Sequence, residues 1–196
     1  MPEAPRFADS RIADAAPVVI QRGVTSDLYL PRVETNQEQN LIDGFLFASP
    51  PPTELHEEIV LTLAEAIDAC ARKNGGKVFV SRDCRLGDTT VIQADVAFLS
   101  LERRNLAGRH LRGAPDLVVE VSSPGTLAFD TEAKFAAYGA SGVREAWFVD
   151  PQAFTLNVVS GDGARWTGEQ LGRWGEPIPS SIVDVGTANL VARTVD

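Results

Sequence analysis

The sequence of 196 residues has little of what several protein classes require. Two cysteines, Cys70 and Cys84, are too few for a disulfide framework, and no Cys-x-x-Cys pair occurs. No run approaches the ~18 consecutive apolar residues of a membrane-spanning helix. Residues 1–10 are polar and lack the apolar core of a signal peptide. These absences predict a cytoplasmic protein with reduced thiols and no membrane partner.

Basic residues are also scarce: 18 Lys and Arg stand against 27 Asp and Glu, which gives a formal net charge of -9. A dedicated nucleic-acid-binding protein usually has a basic surface, so this balance counts against that class. It does not exclude an enzyme that meets DNA briefly, because a local basic patch can lie on an acidic protein. One cluster is a candidate patch, with a solvated loop as the competing interpretation: Arg103, Arg104, Arg109, His110 and Arg112.

The chain length suits one domain, or one domain with an extension. Residues 1–33 have weak periodicity and four prolines, and are predicted to form an irregular N-terminal arm. Residues 34–196 are predicted to form a single domain with its own core. The arm and residues 173–191 are candidates for an interface with a partner.

Helical and strand patterns alternate along this domain. Residues 41–47 predict a hairpin that turns at Asp43 and Gly44. Residues 53–73 predict a helix capped by Thr53, and residues 130–140 predict a second helix capped by Asp130. Strands are predicted at 77–80, 91–99, 116–122, 145–150 and 155–160, with short edge strands near 165–166, 173–174 and 182–185. This order favours an α/β fold with a central mixed β-sheet flanked by helices.

Two carboxylates lie in the middle of apolar strands, where burial is costly unless the charge is paired or bound to a metal. Because side chains alternate along a strand, Gln93, Asp95 and Ala97 are predicted to share one face, as are Val118 and Glu120. If the two strands are neighbours, Asp95 and Glu120 converge and repel each other. A hard divalent cation such as Mg²⁺ or Mn²⁺ would remove this conflict.

Lys134 follows Asp130 by four residues, so both lie on one face of the second predicted helix. If this helix packs beside the Glu120 strand, the Lys134 ammonium can point at the carboxylates. A metal lowers the pKa of bound water and a lysine stabilises charge on a phosphate, so this combination suits cleavage of a phosphodiester. Two structural interpretations stay open: a solvated Lys134–Asp130 pair, and an Asp95 that caps a turn or pairs with an arginine.

Several motifs occur together in a specific order. They are Leu-Ile-Asp-Gly at 41–44, Ser49-Pro50, His56 at the start of a helix, residues 114–124, then Asp130, Lys134, Tyr138 and residues 142–151. This arrangement, over roughly residues 41–159, resembles the Uma-type "putative restriction endonuclease" family of the PD-(D/E)xK nuclease superfamily. The resemblance implies a restriction-endonuclease-like fold, a Mg²⁺- or Mn²⁺-dependent endonuclease, DNA as a transient partner and a homodimer.

The same resemblance implies roles for individual residues. Asp95 matches the strand aspartate and Glu120 the glutamate of the E-x-K motif, and both would bind the metal. Ser122 stands where that motif has its lysine, and Lys134 resembles a relocated lysine. His56 resembles a helix histidine near the site.

Two positions depart from the family pattern: Asn40 stands where a glutamate is common, and Ala94 where a proline is usual. These departures and the acidic charge favour an alternative, a catalytically inactive binding or assembly module with the same fold. A third hypothesis is a hydrolase of another phosphorylated substrate, which suits an acidic surface.

Overall fold

The computed structural model of the protein describes residues 16–32, 37–123 and 125–185. Within these residues nine strands form one sheet. The strands are β1 Val18–Arg22, β2 Gln39–Ile42, β3 Phe45–Ala48, β4 Lys77–Arg85, β5 Val91–Leu99, β6 Leu117–Val121, β7 Glu145–Asp150, β8 Thr155–Gly161 and β9 Trp166–Arg173. The helices are α1 Ser26–Tyr29, α2 Glu54–Asn74 and α3 Phe135–Ala140, with a 3-10 segment at Leu101–Leu106 and a π-helical segment at Phe129–Lys134.

The sheet branches at β5. β4 pairs along the whole of β5 and therefore occupies one of its edges. The other edge is shared, because β2 pairs with it at Val91 and β6 pairs with residues 96–98. β6 and β7 run parallel, whereas the other pairs are antiparallel. The predicted mixed sheet is thus confirmed, and its branch leaves a gap beside residues 92–95 that side chains can fill.

Helices cover both faces of the sheet. Leu63 of α2 is buried in one apolar cluster with Val119 of β6, and Tyr138 of α3 is buried in another with Val118. Successive residues of β6 thus face opposite helices, as alternation along a strand requires. A strand that is covered on both faces has an almost continuous apolar sequence. Glu120 is therefore an unusual residue in β6.

α2 has the boundaries that its sequence predicts. The Thr53 hydroxyl accepts a hydrogen bond from the His56 N–H at 3.2 Å, and Gly75 ends the helix with a left-handed φ of 71°. Glu54 and Glu57 lie in the first turn, where the helix dipole favours negative charge. This cap fixes His56 in the first turn. Among the described helices, none is both long and apolar enough to cross a membrane.

The second helix differs from its prediction, because Asp130 is not its N-cap. The helical path begins upstream, where the Leu127 N–H donates to the Ser123 carbonyl and the Asp130 N–H to the Thr126 carbonyl. Asp130 therefore lies inside the helix, and its buried carboxylate faces Lys134. The wider π turn carries both residues, and such turns often occur at functional sites.

Two segments near the limits of the described residues also differ from their predictions. Residues 18–22, predicted to be irregular, form β1 against β3; all five side chains are exposed, so no burial pattern marked the strand. Residues 1–15 and 33–36 lie outside the described residues, and the division into an arm of residues 1–33 and a domain of residues 34–196 remains a prediction.

Near the C-terminal end, β9 is one continuous strand rather than two short ones. The predicted strand at 182–185 does not form, and Val183 is instead buried in the core. Glu145 holds this segment, because its carboxylate accepts from the Ser181 N–H at 2.9 Å and the Ser181 hydroxyl at 2.7 Å. These side-chain contacts replace strand pairing.

Candidate active site

The four predicted site residues come from four elements and meet at the branch of the sheet. Asp95 lies beside β6 next to Glu120, because its carboxylate contacts the backbone of Val121. His56 in α2 contacts Asp95, with 3.1 Å between Nε2 and Oδ2. Lys134 contacts Glu120, with 2.8 Å between Nζ and Oε2. The predicted neighbourhood of these side chains is therefore present, while their catalytic roles remain predictions.

Asp95 lies at an interruption of β5. Ala94 and Ala97 belong to the same apolar cluster, so strict alternation is broken between them. Ser81, which faces Asp95 in the β4 register, has a φ of 47°, an uncommon value for a residue other than glycine. The face predicted to be shared by residues 93, 95 and 97 is thus not continuous. Asp95 Oδ2 accepts the Val121 N–H at 2.8 Å, which closes the gap next to β6.

The contact between His56 and Asp95 favours the charged form of each side chain, the imidazolium and the carboxylate. Burial disfavours the imidazolium, but the hydrogen bond and charge of Asp95 outweigh it and raise the pKa of His56. Burial also disfavours the carboxylate, but the hydrogen bond and charge of His56 lower the pKa of Asp95. The Nδ1 atom of His56 is buried with no hydrogen-bond partner among the described residues. The imidazole is therefore held on one side only.

This pair should stabilise the fold in a defined pH range. The contribution of Asp95 is lost as pH falls below its ordinary pKa of 3.8 and through its lowered one. The contribution of His56 is lost as pH rises above its ordinary pKa of 6.5 and through its raised one. We expect the coupling energy of a His56→Gln/Asp95→Asn double-mutant cycle, measured by urea unfolding, to be larger at about pH 5.5 than at about pH 9.

The exposed Asp68–Arg72 pair is the control for this prediction, because it contains no imidazole. Its coupling energy is expected to be the same at both pH values. A His56–Asp95 coupling that stays constant, or grows, between the two values would contradict the assignment of a charged pair.

Glu120 is the most enclosed carboxylate of the site, with 1% of its side chain exposed. Lys134 contacts one of its oxygens, and the Tyr138 hydroxyl donates a short hydrogen bond to the other, Oε1. Burial raises the pKa of Glu120 well above its usual value, against the effect of the Lys134 charge. Tyr138 is part of the family pattern, but the sequence assigned it no role in the site. Its spacing of four residues from Lys134 is the sequence signal that could have assigned it to the site.

Three carboxylates surround the Lys134 ammonium. Its side chain is only 4% exposed, so the predicted alternative of a solvated Lys134–Asp130 pair is wrong. Asp130 Oδ1 and Glu38 Oε1 each lie 3.3 Å from Nζ. Burial disfavours the ammonium, but the charges of Glu120, Glu38 and Asp130 raise the pKa of Lys134 well above its ordinary value. The lysine is therefore held in its charged form.

Glu38 and Asn40 are site residues that the sequence did not identify as such. Asn40 is fully buried, and its Oδ1 accepts the Gln93 N–H at 2.9 Å across the gap between β2 and β5. Its Nδ2 donates to Glu38 Oε1 at 2.7 Å. A carboxylate at position 38 reaches Lys134 only through the tertiary fold, and no local motif marks it.

A small pocket opens beside these residues. Its cavity volume is about 20 Å³, enough for one water molecule or one ion. It is lined by Glu38, Ser49, Pro50, Pro51, Pro52, His56, Asp95, Val121, Ser123, Thr126, Asp130 and Lys134. The three prolines restrict the backbone along one wall. The pocket gives solvent access to Glu38, Asp95 and Asp130, whereas Glu120 is not among its lining residues.

The side chains fit a hard divalent cation in chemistry and charge. Four carboxyl groups surround one lysine and one histidine in this cluster, so oxygen donors for such an ion are present. Across the parts of the chain that the structure describes, no three His, Cys, Asp or Glu side chains are grouped so that they could hold a metal ion. Mg²⁺ is commonly bound by one or two carboxylates together with water and substrate phosphate, and Asp95 and Glu120 can supply such a pair.

The predicted basic cluster is divided in the structure. Arg103 has an internal role, because its guanidinium contacts the buried Asp116 carboxylate and the Ala114 carbonyl. His110 lies near Arg85, Arg109 and Arg112; burial, and then these charges, lower the pKa of His110. Because Arg103 is used internally, the surface patch is smaller than the sequence predicted.

Comparisons with known proteins agree with this fold. A sequence model of the Uma2 family, described as "Putative restriction endonuclease", matches residues 26–186. The structure is similar to a crystal structure described as a putative nuclease belonging to DUF820 from Anabaena variabilis ATCC 29413. The TM-score is 0.74 at 18% identity, with 86% of this chain and 98% of that chain covered. No curated protein sequence matches the chain significantly.

Proposed function

The chain belongs to the Uma2 family of putative restriction endonucleases, and from this premise we propose that it is a divalent-metal-dependent endonuclease that hydrolyses DNA phosphodiester bonds. The observation that supports this most directly is the position of Asp95 beside the backbone of Val121, next to Glu120, with the Lys134 ammonium 2.8 Å from Glu120. Buried carboxylates around a charged lysine are costly to fold, and a site for a cation and a phosphate explains why they lie together.

Asp95 and Glu120 would hold the metal, which we propose is Mg²⁺ or Mn²⁺. When bound, such an ion lowers the pKa of a coordinated water and offsets phosphate charge. Lys134 is fixed by three carboxylates, so its ammonium is preorganised to stabilise negative charge on the scissile phosphate. We propose that His56 supports the reaction by holding Asp95 in place through its Nε2 atom.

Nicking of supercoiled plasmid DNA tests this function. We expect wild-type protein to nick in the presence of Mn²⁺ or Mg²⁺ and not in excess chelator. Asp95→Asn should lower the rate by at least about 100-fold, as expected when a group that stabilises transition-state charge is lost. Asp88→Asn is the matched control, because that carboxylate is 98% exposed and outside the pocket. Metal-dependent nicking that is equally fast in Asp95→Asn would refute this site.

The second candidate function is the non-catalytic binding or assembly module. Lys134 and Tyr138 already contact both oxygens of Glu120, so this carboxylate has partners without a metal. The net charge of -9 also disfavours strong DNA binding. The same assay separates the two functions, since the module shows no metal-dependent nicking in any variant.

Three further proposals concern the cellular location, the oligomeric state and the contact with DNA. We propose a cytoplasmic location, which the free thiols of Cys70 and Cys84 support. We propose a homodimer, because two-fold symmetry suits the cutting of two strands. The contact with DNA would be transient, with the cations of residues 109–112 as candidate contacts to phosphates.

A further inference from the structure

Glu38 is the most accessible of the carboxylates that contact Lys134. Its side chain is 22% exposed, whereas those of Glu120 and Asp130 are 1% and 5% exposed. It lines the pocket together with Asp95 and His56. A carboxylate that is both tied to the buried lysine and open to the pocket is placed to meet a ligand that enters there.

The inward position of Glu38 depends on Asn40. The Asn40 amide accepts from the Gln93 N–H and donates to Glu38 Oε1, so both ends of this buried side chain are used. An amide can do both, while a carboxylate at position 40 has no hydrogen to donate and would repel Glu38. The inward position of Glu38 therefore requires an amide rather than a carboxylate at position 40.

We infer that Glu38 is a further carboxylate of the active site, positioned by Asn40, which strengthens binding of the divalent cation at Asp95 and Glu120. The inference rests on the proposed function. Glu38 directly precedes β2, Asp130 lies in the π-helical segment, and both carboxylates contact the Lys134 ammonium. The Glu38 charge therefore offsets the repulsion that Lys134 exerts on an incoming cation, and its exposed surface adds an oxygen donor to the pocket.

The test is Mn²⁺ titration by calorimetry on the full chain. Glu38→Gln keeps the size of the side chain and its ability to accept from Asn40, and removes only the charge. We expect its Mn²⁺ dissociation constant to rise about 10–100-fold, the usual effect of losing a supporting group at a metal site, while a thermal melt shows that the variant remains folded. Glu132→Gln, an exposed glutamate on the helical segment of Lys134, is the matched control and should bind like wild type.

The role of Asn40 is tested by a double-mutant cycle in the same titration. Asn40→Ala should weaken Mn²⁺ binding, and Glu38→Gln/Asn40→Ala should bind no more weakly than the weaker single variant, because Asn40 acts through Glu38. Additive losses would overturn the positioning role. Since Asn40→Ala also removes the acceptor of the Gln93 N–H and can unfold the chain, Glu38→Gln decides the main point alone.

The outcomes separate this inference from the proposed function. Wild-type binding that Glu120→Gln abolishes and Glu38→Gln leaves within about twofold would overturn the role of Glu38 while the metal site stands. Absence of Mn²⁺ binding and of nicking by the wild type would overturn both.

Discussion

Glu120→Gln is expected to abolish metal-dependent nicking and to remove measurable Mn²⁺ binding. The substitution keeps the shape of the side chain, and the Tyr138 hydroxyl can still donate to its remaining carbonyl oxygen. It removes the negative charge that a cation requires. The Lys134 ammonium would then contact either the amide nitrogen or the neutral amide oxygen, which is a weaker acceptor than a carboxylate. Loss of one ligand of a catalytic metal should cost at least about 100-fold in rate.

The measurement is the initial rate of nicking at saturating Mn²⁺, together with calorimetry. Glu132→Gln provides the control, because the chemical change is identical and the residue is exposed. Circular dichroism and a thermal melt show whether the variant is folded. A folded Glu120→Gln protein that nicks within about threefold of wild type would mean that the metal, if any, binds elsewhere.

The sequence predicted the parts of the site that have a local pattern. Glu120 is conspicuous because an acid interrupts a run of β-branched residues, and Lys134 because helical spacing relates it to Asp130. The strand β5 and the helix α2 were also placed correctly, from apolar periodicity and from the Thr53 and Gly75 caps. In these cases short-range chemistry and the tertiary fold favour the same structure.

What the sequence could not predict depends on contacts between distant segments. Glu38 lies 96 positions from Lys134, and nothing near residue 38 indicates that its carboxylate turns inward. Asn40 was interpreted as a departure that favours an inactive module. In the structure its side-chain amide forms one hydrogen bond with Gln93 of β5 and one with Glu38, and so connects β2 to both. The Asp130 cap failed because a buried ion pair with Lys134 replaced an exposed capping position. The structure does not explain the alanine at position 94.

Lys134→Met is expected to be the most destabilising single substitution at the site. It removes the cation from a pocket in which Glu120 is almost fully enclosed and Asp130 nearly so. Breaking a buried pair by removing one partner costs about 3–5 kcal/mol, because the remaining charge is left without compensation. The free energy of unfolding, measured in urea at neutral pH, should fall by about this amount. Arg72→Met, which breaks the exposed pair with Asp68, should change it by less than about 1 kcal/mol.

The pH dependence of this loss identifies its cause. Burial raises the pKa of Glu120, and without Lys134 that pKa should rise further. A carboxyl with a raised pKa favours folding at low pH, and this contribution is lost as pH rises through the folded-state pKa. The destabilisation by Lys134→Met should therefore be greater at about pH 8 than at about pH 5. Glu120→Gln/Lys134→Met should recover part of the loss, because the double variant leaves one fewer buried carboxylate without its cation. Equal losses at both pH values and no recovery in the double variant would show that Lys134 stabilises the fold by packing rather than by charge.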